Sequence, residues 1–485
     1  MVAVIRRRYL GGAAVALGGL LAAACGEPTV RYVGQPQAGP AGPAGPAGPK
    51  GAAGAQGAAG AQGAAGKAAE PPPRITFTMS HAPPHRFGLA NLAIVEDFKK
   101  RHPKGALTEI PAEENGRANT EKIKTLLAAD TPPNIWTSWQ VPATDLFAQG
   151  ATIDLNQPLR TNKDWEKTKG EMIQFLMEGS QWKGHQVLMP SYPDPHGLGY
   201  NTAILKEEGV DFPEEGYTWD DFDEIGRATV QREGNDVTRA LWSMRYSLYW
   251  TVIVIGPMNA AYPRDPAGTT WKVDTPGMIE ALEYVYKHHR ELGYGQTDIG
   301  RDGKYHFNKK AKVTEVINPG TVTPPRYPDV DPGDGSVIRV THYPHGPKNT
   351  QKQITTPGNV FGVMVFKVRD KEAEQVAAEL AAWSVREEVQ LLVSEASGHP
   401  PSNLAASRNP AINKALKDNP ILKQLNHLVQ YDVPTPPSPS MAKMLFTIGG
   451  EVFKRLENDE LTPKQALEEA QRLTAPLYEE DLARG

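Results

Sequence analysis

The stretch RITFTMSHAPPHRFGLANLAIVEDF at positions 74–98 predicts a strand followed by a helix. Its first part, Ile75–Met79, alternates apolar residues with threonine and follows three prolines, as is typical of a strand that begins a folded domain. A loop rich in histidine and proline comes next. Apolar residues then recur at the spacing of one helical face, at Leu89, Leu92, Val95 and Phe98.

The same alternation of strand and helix continues along the chain. Apolar periodicity predicts helices over Thr120–Ala129 and Met278–Leu292, a buried strand at Ile135, and a strand at Val360–Val365 before a helix at Lys371–Trp383. Strands that alternate with helices indicate an α/β fold with parallel sheets. In such folds, ligands bind in loops at the carboxyl ends of the strands.

Composition restricts the class of protein. The 485 residues carry a net charge of -4, and 39% of them are hydrophobic. No basic stripe favours nucleic acid as a partner. The part of the chain that follows residue 73 is longer than one core usually holds, so we expect two lobes in a monomer.

No sequence motif indicates a cofactor or a metal. The chain contains no Walker loop, no His-Glu-x-x-His zinc motif and no Gly-x-Ser-x-Gly elbow. His81 and His85 have the spacing of helical metal ligands, but Pro83 and Pro84 between them forbid that helix. We therefore expect neither a metal site nor a cofactor site.

The first residues are typical of an export signal. A basic head at Arg6–Arg8 precedes an uncharged run from Tyr9 to Ala24 that is short for a membrane span. Three alanines then precede Cys25, the only cysteine, which resembles a bacterial lipobox with alanine where leucine is preferred. We expect residues 1–24 to be a signal peptide and Cys25 to carry lipid. The Arg6–Leu10 segment also resembles a twin-arginine export motif, so the export route stays open.

A collagen-like segment follows the cysteine. Every third residue from Gly39 to Gly66 is glycine, as a triple helix requires, but prolines stand only at 40, 43, 46 and 49 within the repeat. Gly and Ala cannot form a packed core. We therefore interpret residues 25–73 as a lipid anchor and a tether that holds the folded body away from the membrane, and not as a trimerisation segment.

Several sequence blocks together resemble the family 1 extracellular solute-binding proteins, the group that contains the maltose- and maltodextrin-binding proteins. The blocks occur in family order, at Thr131–Ile135, Ala148–Leu155, Trp182–Pro190, Gly199–Asn201, Tyr217–Phe222, Pro344–Pro347, Ser397–Pro401 and Ala466–Ala470. One departure is Asn134, which stands where the family usually has aspartate. Each block is weakly specific by itself, but their order covers nearly all of the chain after Arg74.

The resemblance implies a type II periplasmic-binding-protein fold, with two α/β lobes, a hinge and the ligand between the lobes. On this basis we expect residues 74–189 and about 311–361 to form the first lobe, and 190–310 and 362–485 the second. It also implies an extracytoplasmic, lipid-anchored protein that binds a small polar ligand, most simply a carbohydrate. The permease of an ABC importer would then be its partner.

The ligand site implied by the resemblance lies in the loops that face the cleft. A sugar presents apolar faces and a rim of hydroxyls, so aromatic rings and charged or amide groups suit it. Trp136 and Trp139 follow the Ile135 strand, and one of them is expected to stack on the ligand. The further candidates are His81 in the first loop, Asp194 after the crossing strand, and Arg245, Tyr246 and Trp250 in the segment 240–255.

The sequence leaves two alternatives to a solute-binding protein, and it also restricts the ligand. The maltodextrin branch carries a stacking Trp near Ser440–Leu445, and this chain has none there, so a plain maltodextrin is not the expected ligand. A secreted carbohydrate-active enzyme would need a pair of carboxylates across the sugar. A collagen-like surface protein is the third possibility. We assign Trp219 to structure, because Thr218 has the pattern of a helix cap.

Overall fold

The computed structural model describes residues 74–484, except 84, 102–105, 113–115, 243, 245–246, 266–267, 296–310, 318, 320–330, 332–334 and 351–355. The signal peptide, Cys25 and the Gly-x-y segment therefore lie outside the described residues. So do Arg245 and Tyr246, two of the expected ligand-binding residues.

The described elements alternate as expected for an α/β protein. The strands are β1 (Arg74–Thr78), β2 (Ala106–Glu109), β3 (Ile135–Trp139), β4 (Gln181–Trp182), β5 (His185–Gln186), β6 (Met189–Pro195), β7 (Gly197–Asn201), β8 (Gln231–Glu233), β9 (Asp236–Arg239), β10 (Thr314–Ile317), β11 (Ile338–Thr341), β12 (Thr356–Val365) and β13 (Asp432–Pro434). The helices before residue 300 are α1 (Arg86–Arg101), α2 (Gly116–Ala128), α3 (Gln140–Ala148), α4 (Asn156–Leu159), α5 (Lys163–Thr168), α6 (Gln174–Gly179), α7 (Thr202–Glu207), α8 (Trp219–Thr229), α9 (Leu248–Trp250), α10 (Gly256–Met258) and α11 (Pro276–Arg290). Those after it are α12 (Lys371–Trp383), α13 (Glu387–Ser397), α14 (Leu404–Arg408), α15 (Ala411–Ala415), α16 (Pro420–Leu428), α17 (Gly449–Glu457) and α18 (Pro463–Ala483).

Short segments of other helix types connect these elements. Lys169–Glu171 and Val429–Tyr431 are 3-10 turns. Thr251–Ile255 and Lys443–Ile448 are π-helical and continue directly from neighbouring helical turns. Among the described residues, no helix combines the length and the apolar character needed to cross a bilayer.

The first lobe is built on a mixed sheet of strand order β13-β12-β3-β1-β2, with β6 also paired to β12. β1 runs parallel to β2 and β3, and β12 runs antiparallel to β3 and β6. Helices α1, α12 and α13 cover this sheet, and their apolar residues share one core with the strands. The buried residues of α1 include Ala90, Ile94, Val95 and Phe98, whereas the predicted face residues Leu89 and Leu92 are only partly buried, because α1 lies against both the sheet and α13.

The second lobe has its own sheet and its own core. Its strand order is β10-β7-β11, and both pairings are antiparallel, so the expectation of parallel sheets is wrong for this lobe. The core of the lobe joins α8, α11, α17 and α18 to residues of β7. Thr218 caps α8 together with Asp221 in a capping box, and Trp219 is buried in this core, as expected from the sequence.

The strand pairings correct the predicted lobe boundaries. β10 and β11 fall inside the segment 311–361 that was expected in the first lobe, but both pair with β7 of the second lobe. Conversely, α12 and α13 were expected in the second lobe and pack in the first core. The chain therefore returns to the first lobe with β12 and not with residue 311, because β12 is the strand that completes the first sheet.

Candidate functional site

Three strands of the first lobe end at the same edge of its sheet. β1 and β3 are parallel to each other, and β3 and β6 are both antiparallel to β12, so all three point the same way. The residues at or just after their carboxyl ends include His81, Trp139 and Asp194. The sequence placed these three residues in the candidate site, and the sheet brings their backbones to one edge.

Asp194 lies at the centre of a buried polar cluster. Its Oδ2 is 3.1 Å from Nη2 of Arg86 at the start of α1, and 3.4 Å from Nε2 of His196. Nε2 of His399, in the turn after α13, is 3.7 Å from Oδ1. Burial alone would raise the pKa of Asp194, but Arg86, His196 and His399 outweigh it and hold that pKa well below its usual range. Asp194 is therefore an anion inside the fold.

The loop before α1 presents a stacked pair of imidazoles. The rings of His81 and His85 have centroids 4.2 Å apart and planes inclined by 16°. Nδ1 of His85 accepts the backbone N–H of Phe87 at 3.3 Å. Burial, together with the nearby charge of Arg86, lowers the pKa of His81 and of His85 to about 4, and for His81 the neighbouring His85 adds to this effect. Both rings are therefore neutral at pH 7.

A glycine allows this loop to lie against its own helix. A Cβ on Gly88 would stand 2.5 Å from the backbone nitrogen of Pro83 and 2.7 Å from the carbonyl oxygen of His81. Such contacts are too short for any side chain. The amide Nδ2 of Asn119 in α2 also donates to the carbonyl of Ser80 at 2.8 Å. The position of the imidazole pair is thus fixed by backbone packing.

Aromatic side chains from the two lobes meet beside this edge. Trp139 ends β3, is partly buried and packs against the cores of both lobes. Its ring centroid is 6.0 Å from that of Phe446, which lies in the π-helical segment of the second lobe and is 47% exposed. These two rings form the contact between the lobes at this point.

The short helix α9 adds two more aromatic rings from the second lobe. Ser247 caps α9, and the ring of Tyr249 lies 5.3 Å from that of Phe446. The hydroxyl of Tyr249 donates to Oδ1 of Asn359 in β12 at 3.1 Å. The ring of Trp250 is partly buried and lies 6.1 Å from that of His196. Trp250 therefore faces the polar cluster from the opposite lobe.

Trp136 occupies a different place from Trp139. It has no exposed surface and belongs to a core cluster of the first lobe with Ile123, Ala143 and Leu176. Side chains alternate between the two faces of a strand. Trp136 and Trp139 are three positions apart in β3 and therefore point to opposite faces. The structure thus places Trp136 in the core, and Trp139 is the indole of this strand at the interface between lobes.

Sequence reasoning missed several residues of the site. The sequence patterns do not single out Arg86 or Phe446, and they do not pair His196 or His399 with Asp194. A buried carboxylate needs partners, so the expected Asp194 could have prompted a search for a cation. Only the fold, however, brings Arg86 within reach across 108 residues of sequence. His399 lies within a block already quoted for the family resemblance, but nothing in the sequence pairs it with Asp194.

Metal binding and glycoside hydrolysis can each be compared with the described residues. No group of three or more His, Cys, Asp or Glu side chains there could hold a metal ion. The carboxylate in the polar cluster, Asp194, is ion-paired and 3% exposed. A hydrolase needs one carboxylate as an acid and a second as a base or nucleophile, and an ion-paired Asp194 does not provide the protonated acid.

The family comparison agrees with this architecture. Residues 93–424, more than half of the chain, match the family model described as bacterial extracellular solute-binding protein. No curated protein matches the sequence.

Solved structures of the same fold cover most of the chain. The cyclic α-maltosyl-1,6-maltose binding protein of Arthrobacter globiformis has a TM-score of 0.70 at 17% identity, over 84% of this chain and 100% of that one. An ABC substrate-binding protein of Listeria monocytogenes, solved with cycloalternan, gives 0.67 at 16% over 83% and 98%. UgpB of Mycobacterium tuberculosis, solved with glycerophosphocholine, gives 0.68 at 15% over 84% and 99%. Identities this low establish a shared fold and leave the ligand open.

Proposed function

Because the chain belongs to the family of bacterial extracellular solute-binding proteins, we propose that it binds a carbohydrate between its two lobes. We further propose that it delivers this ligand to the permease of an ABC importer. The observation that carries the first proposal is the meeting of Trp139 and Phe446 from opposite lobes beside the polar cluster around Asp194.

The chemistry of this place suits a sugar. Trp139, Phe446 and Trp250 offer ring faces on which the C–H surface of a pyranose can lie. The neutral imidazoles of His81 and His85 offer both a donor and an acceptor, as a sugar hydroxyl requires. In this proposal Arg245 and Tyr246, in the segment before α9, contribute to the polar rim, and the ion-paired Asp194 belongs to the polar cluster that supports this rim.

The ligands of proteins with the same fold support a saccharide. Of the three structures compared above, one is named as a binding protein for cyclic α-maltosyl-1,6-maltose and another was solved with cycloalternan. The third was solved with glycerophosphocholine, a zwitterionic solute. Aromatic rings stack on sugars but also hold quaternary ammonium groups, so the screen described below separates the two classes.

The family is extracellular, and the sequence supports a specific mode of attachment outside the cytoplasm. We propose that residues 1–24 are removed, that Cys25 is lipidated, and that residues 25–73 tether a monomeric body to the membrane. The run of small residues before a single cysteine supports the anchor. The repeat, with few prolines, supports a tether.

The test is a screen of thermal unfolding against a panel of neutral oligosaccharides, polyols, glycerophosphodiesters and polyamines. A ligand at 100 times its dissociation constant stabilises the folded state by ~2.7 kcal/mol, which such a screen resolves. Stabilisation by at least one saccharide, followed by calorimetric binding, is the expected result. If glycerophosphodiesters or polyamines stabilise the protein and no saccharide does, the carbohydrate proposal is wrong.

We propose that the bound saccharide leaves chemically unchanged. The support is Asp194, which is a paired anion and unsuited to donate a proton to a glycosidic oxygen. The saccharide that binds in the screen should be recovered intact after prolonged incubation. Release of shorter saccharides, and its loss in Asp194→Asn, would favour the carbohydrate-active enzyme instead.

A further inference from the structure

We propose that His81 and His85 contact the ligand as a pair of neutral imidazoles, so that the site selects an uncharged ligand and releases it on acidification. We also propose that Asp194 acts as a positioning residue beneath this pair and does not touch the ligand. Both statements rest on the proposed function. The first specifies that the ligand is uncharged.

Asp194 has little capacity left for a ligand. It is 3% exposed, and both of its oxygens lie near cationic or N–H groups. Nη2 of Arg86 is 3.1 Å from Oδ2 and 3.4 Å from Oδ1, and two imidazoles lie within 3.7 Å. Moreover, Arg86 and Asp194 cancel each other in charge. The ion pair therefore gives the described part of the site no net charge to attract an ionic solute.

The imidazole pair is the more accessible polar part of the cluster. His81 and His85 are both partly buried, in contrast with the fully buried His399. In its neutral form His85 accepts the Phe87 N–H at Nδ1, which leaves Nε2–H as a donor for a ligand. Nδ1 of His81 lies 3.3 Å from the hydroxyl oxygen of Ser80. With its other ring nitrogen as the acceptor, neutral His81 can accept a ligand hydroxyl while His85 donates.

Protonation would disrupt this arrangement in two ways. A proton on Nδ1 of His85 would face the Phe87 N–H that this nitrogen now accepts. Two positive rings with centroids 4.2 Å apart would also repel each other and Arg86. The described charged groups that act on the pair are Arg86 of α1, Asp194 of β6 and, for His85, His399 after α13. His196 contacts Asp194.

The sign of the pH dependence follows from these contacts. The pKa of each ring is lowered to about 4 in the folded protein, so both rings stay neutral down to that pH. If the ligand binds only the neutral pair, affinity is nearly constant above pH 6 and weakens about fourfold at pH 4 and roughly 17-fold at pH 3.5. A carboxylate that accepted ligand hydroxyls directly would give no such dependence until its own much lower pKa was reached.

The experiment measures the affinity for the saccharide found in the screen by calorimetry from pH 7 to pH 3.5, with circular dichroism to confirm folding. The double variant His81→Asn and His85→Asn retains amide donors and acceptors and should bind more weakly but with a flat pH profile. Proton NMR of the two imidazoles in the ligand-free protein gives an independent measurement, and both should titrate near pH 4.

Asp194→Asn distinguishes positioning from contact. Asp194 raises the pKa of both imidazoles, so its neutralisation should move the acid loss of binding to lower pH. An Asp194 that bonded the ligand directly would also lose affinity at pH 7 in this variant, and a merely structural role would leave that midpoint in place. If this variant does not fold, the NMR titration of the wild-type imidazoles still tests the neutral pair.

Three results would overturn the inference. They are titration of both imidazoles near their ordinary pKa, unchanged acid sensitivity in the double variant, or tighter binding of spermidine or glycerophosphocholine than of any neutral saccharide. The last result would leave solute binding intact and refute only the selection of an uncharged ligand. Failure of every solute to bind would instead refute the proposed function.

Discussion

The ring of Trp139 in the first lobe lies 6.0 Å from the ring of Phe446 in the second, at an interplanar angle of 54°. The two residues are separated by about 300 positions in sequence and come from different sheets and cores. Phe446 stands close to the segment Ser440–Leu445, where the maltodextrin branch has a stacking tryptophan. The ring of Phe446 therefore lies next to this segment, although the segment itself contains no tryptophan.

Substitution of the interface aromatics should weaken binding more than folding. Trp139→Ala, Phe446→Ala and Trp250→Ala should each cost ~2 kcal/mol of binding, or roughly thirtyfold in affinity. None of the three is fully buried, so unfolding by denaturant should change little. Calorimetry and urea titration of each variant check this.

Trp383→Phe, in the first lobe away from the interface, is the control and should bind normally. Normal binding in all three variants, or simple unfolding of all three, would show that the cleft has been misplaced.

Trp136 should behave as a core residue. Because its side chain has no exposed surface, Trp136→Ala should leave a cavity and lower the free energy of unfolding by ~3–5 kcal/mol. Trp136→Phe should cost less. Urea titration without ligand measures both. A Trp136→Ala variant that has normal stability but fails to bind would indicate that Trp136 contacts the ligand.

Gly88 should be required for the position of the histidine loop. In Gly88→Ala the new methyl would lie 2.5 Å from Pro83 N, so the loop that carries His81 and His85 must move. We expect at least tenfold weaker binding, since misplacement of a contact by an ångström is costly. Gly450→Ala is the matched control, because a Cβ there meets nothing within 4 Å. It lies within α17 and should leave binding unchanged while stabilising the helix by up to about 1 kcal/mol.

Cys25 should be the site of lipidation. Cys25→Ser should allow export but abolish anchoring, because serine cannot form the thioether. Labelled palmitate supplied to cells that express each form gives the measurement, with the wild-type chain as the positive control. Label in the serine variant would contradict the assignment of Cys25.

The Gly-x-y segment should be dispensable for binding and for assembly. Deletion of Gly39–Gly66 from a soluble form should leave ligand affinity unchanged and the particle monomeric, since a repeat with so few prolines does not support a stable triple helix. Sedimentation of the intact and the deleted soluble forms tests this. A trimer that becomes a monomer on deletion would show that the segment assembles the protein.

Local pattern predicted several of the elements but not their assignment to lobes. The α12 helix was predicted with the bounds it has, and β12 was recognised in part, because apolar periodicity reports on burial of each segment. The partner of a strand is not contained in that periodicity. Consequently β10 and β11 were assigned to the first lobe, although both pair with β7 in the second.

The sequence by itself determined the α/β class, the family resemblance and the candidates Trp139, Asp194 and His81, since these depend on residue type and order along the chain. The tertiary structure decided what surrounds each of them. Only folding brings Arg86 to Asp194 and Phe446 to Trp139, because these contacts join elements far apart in sequence. Burial then separates Trp136 from Trp139: a strand sends adjacent side chains to opposite faces, and the packing of the whole lobe decides which face is core.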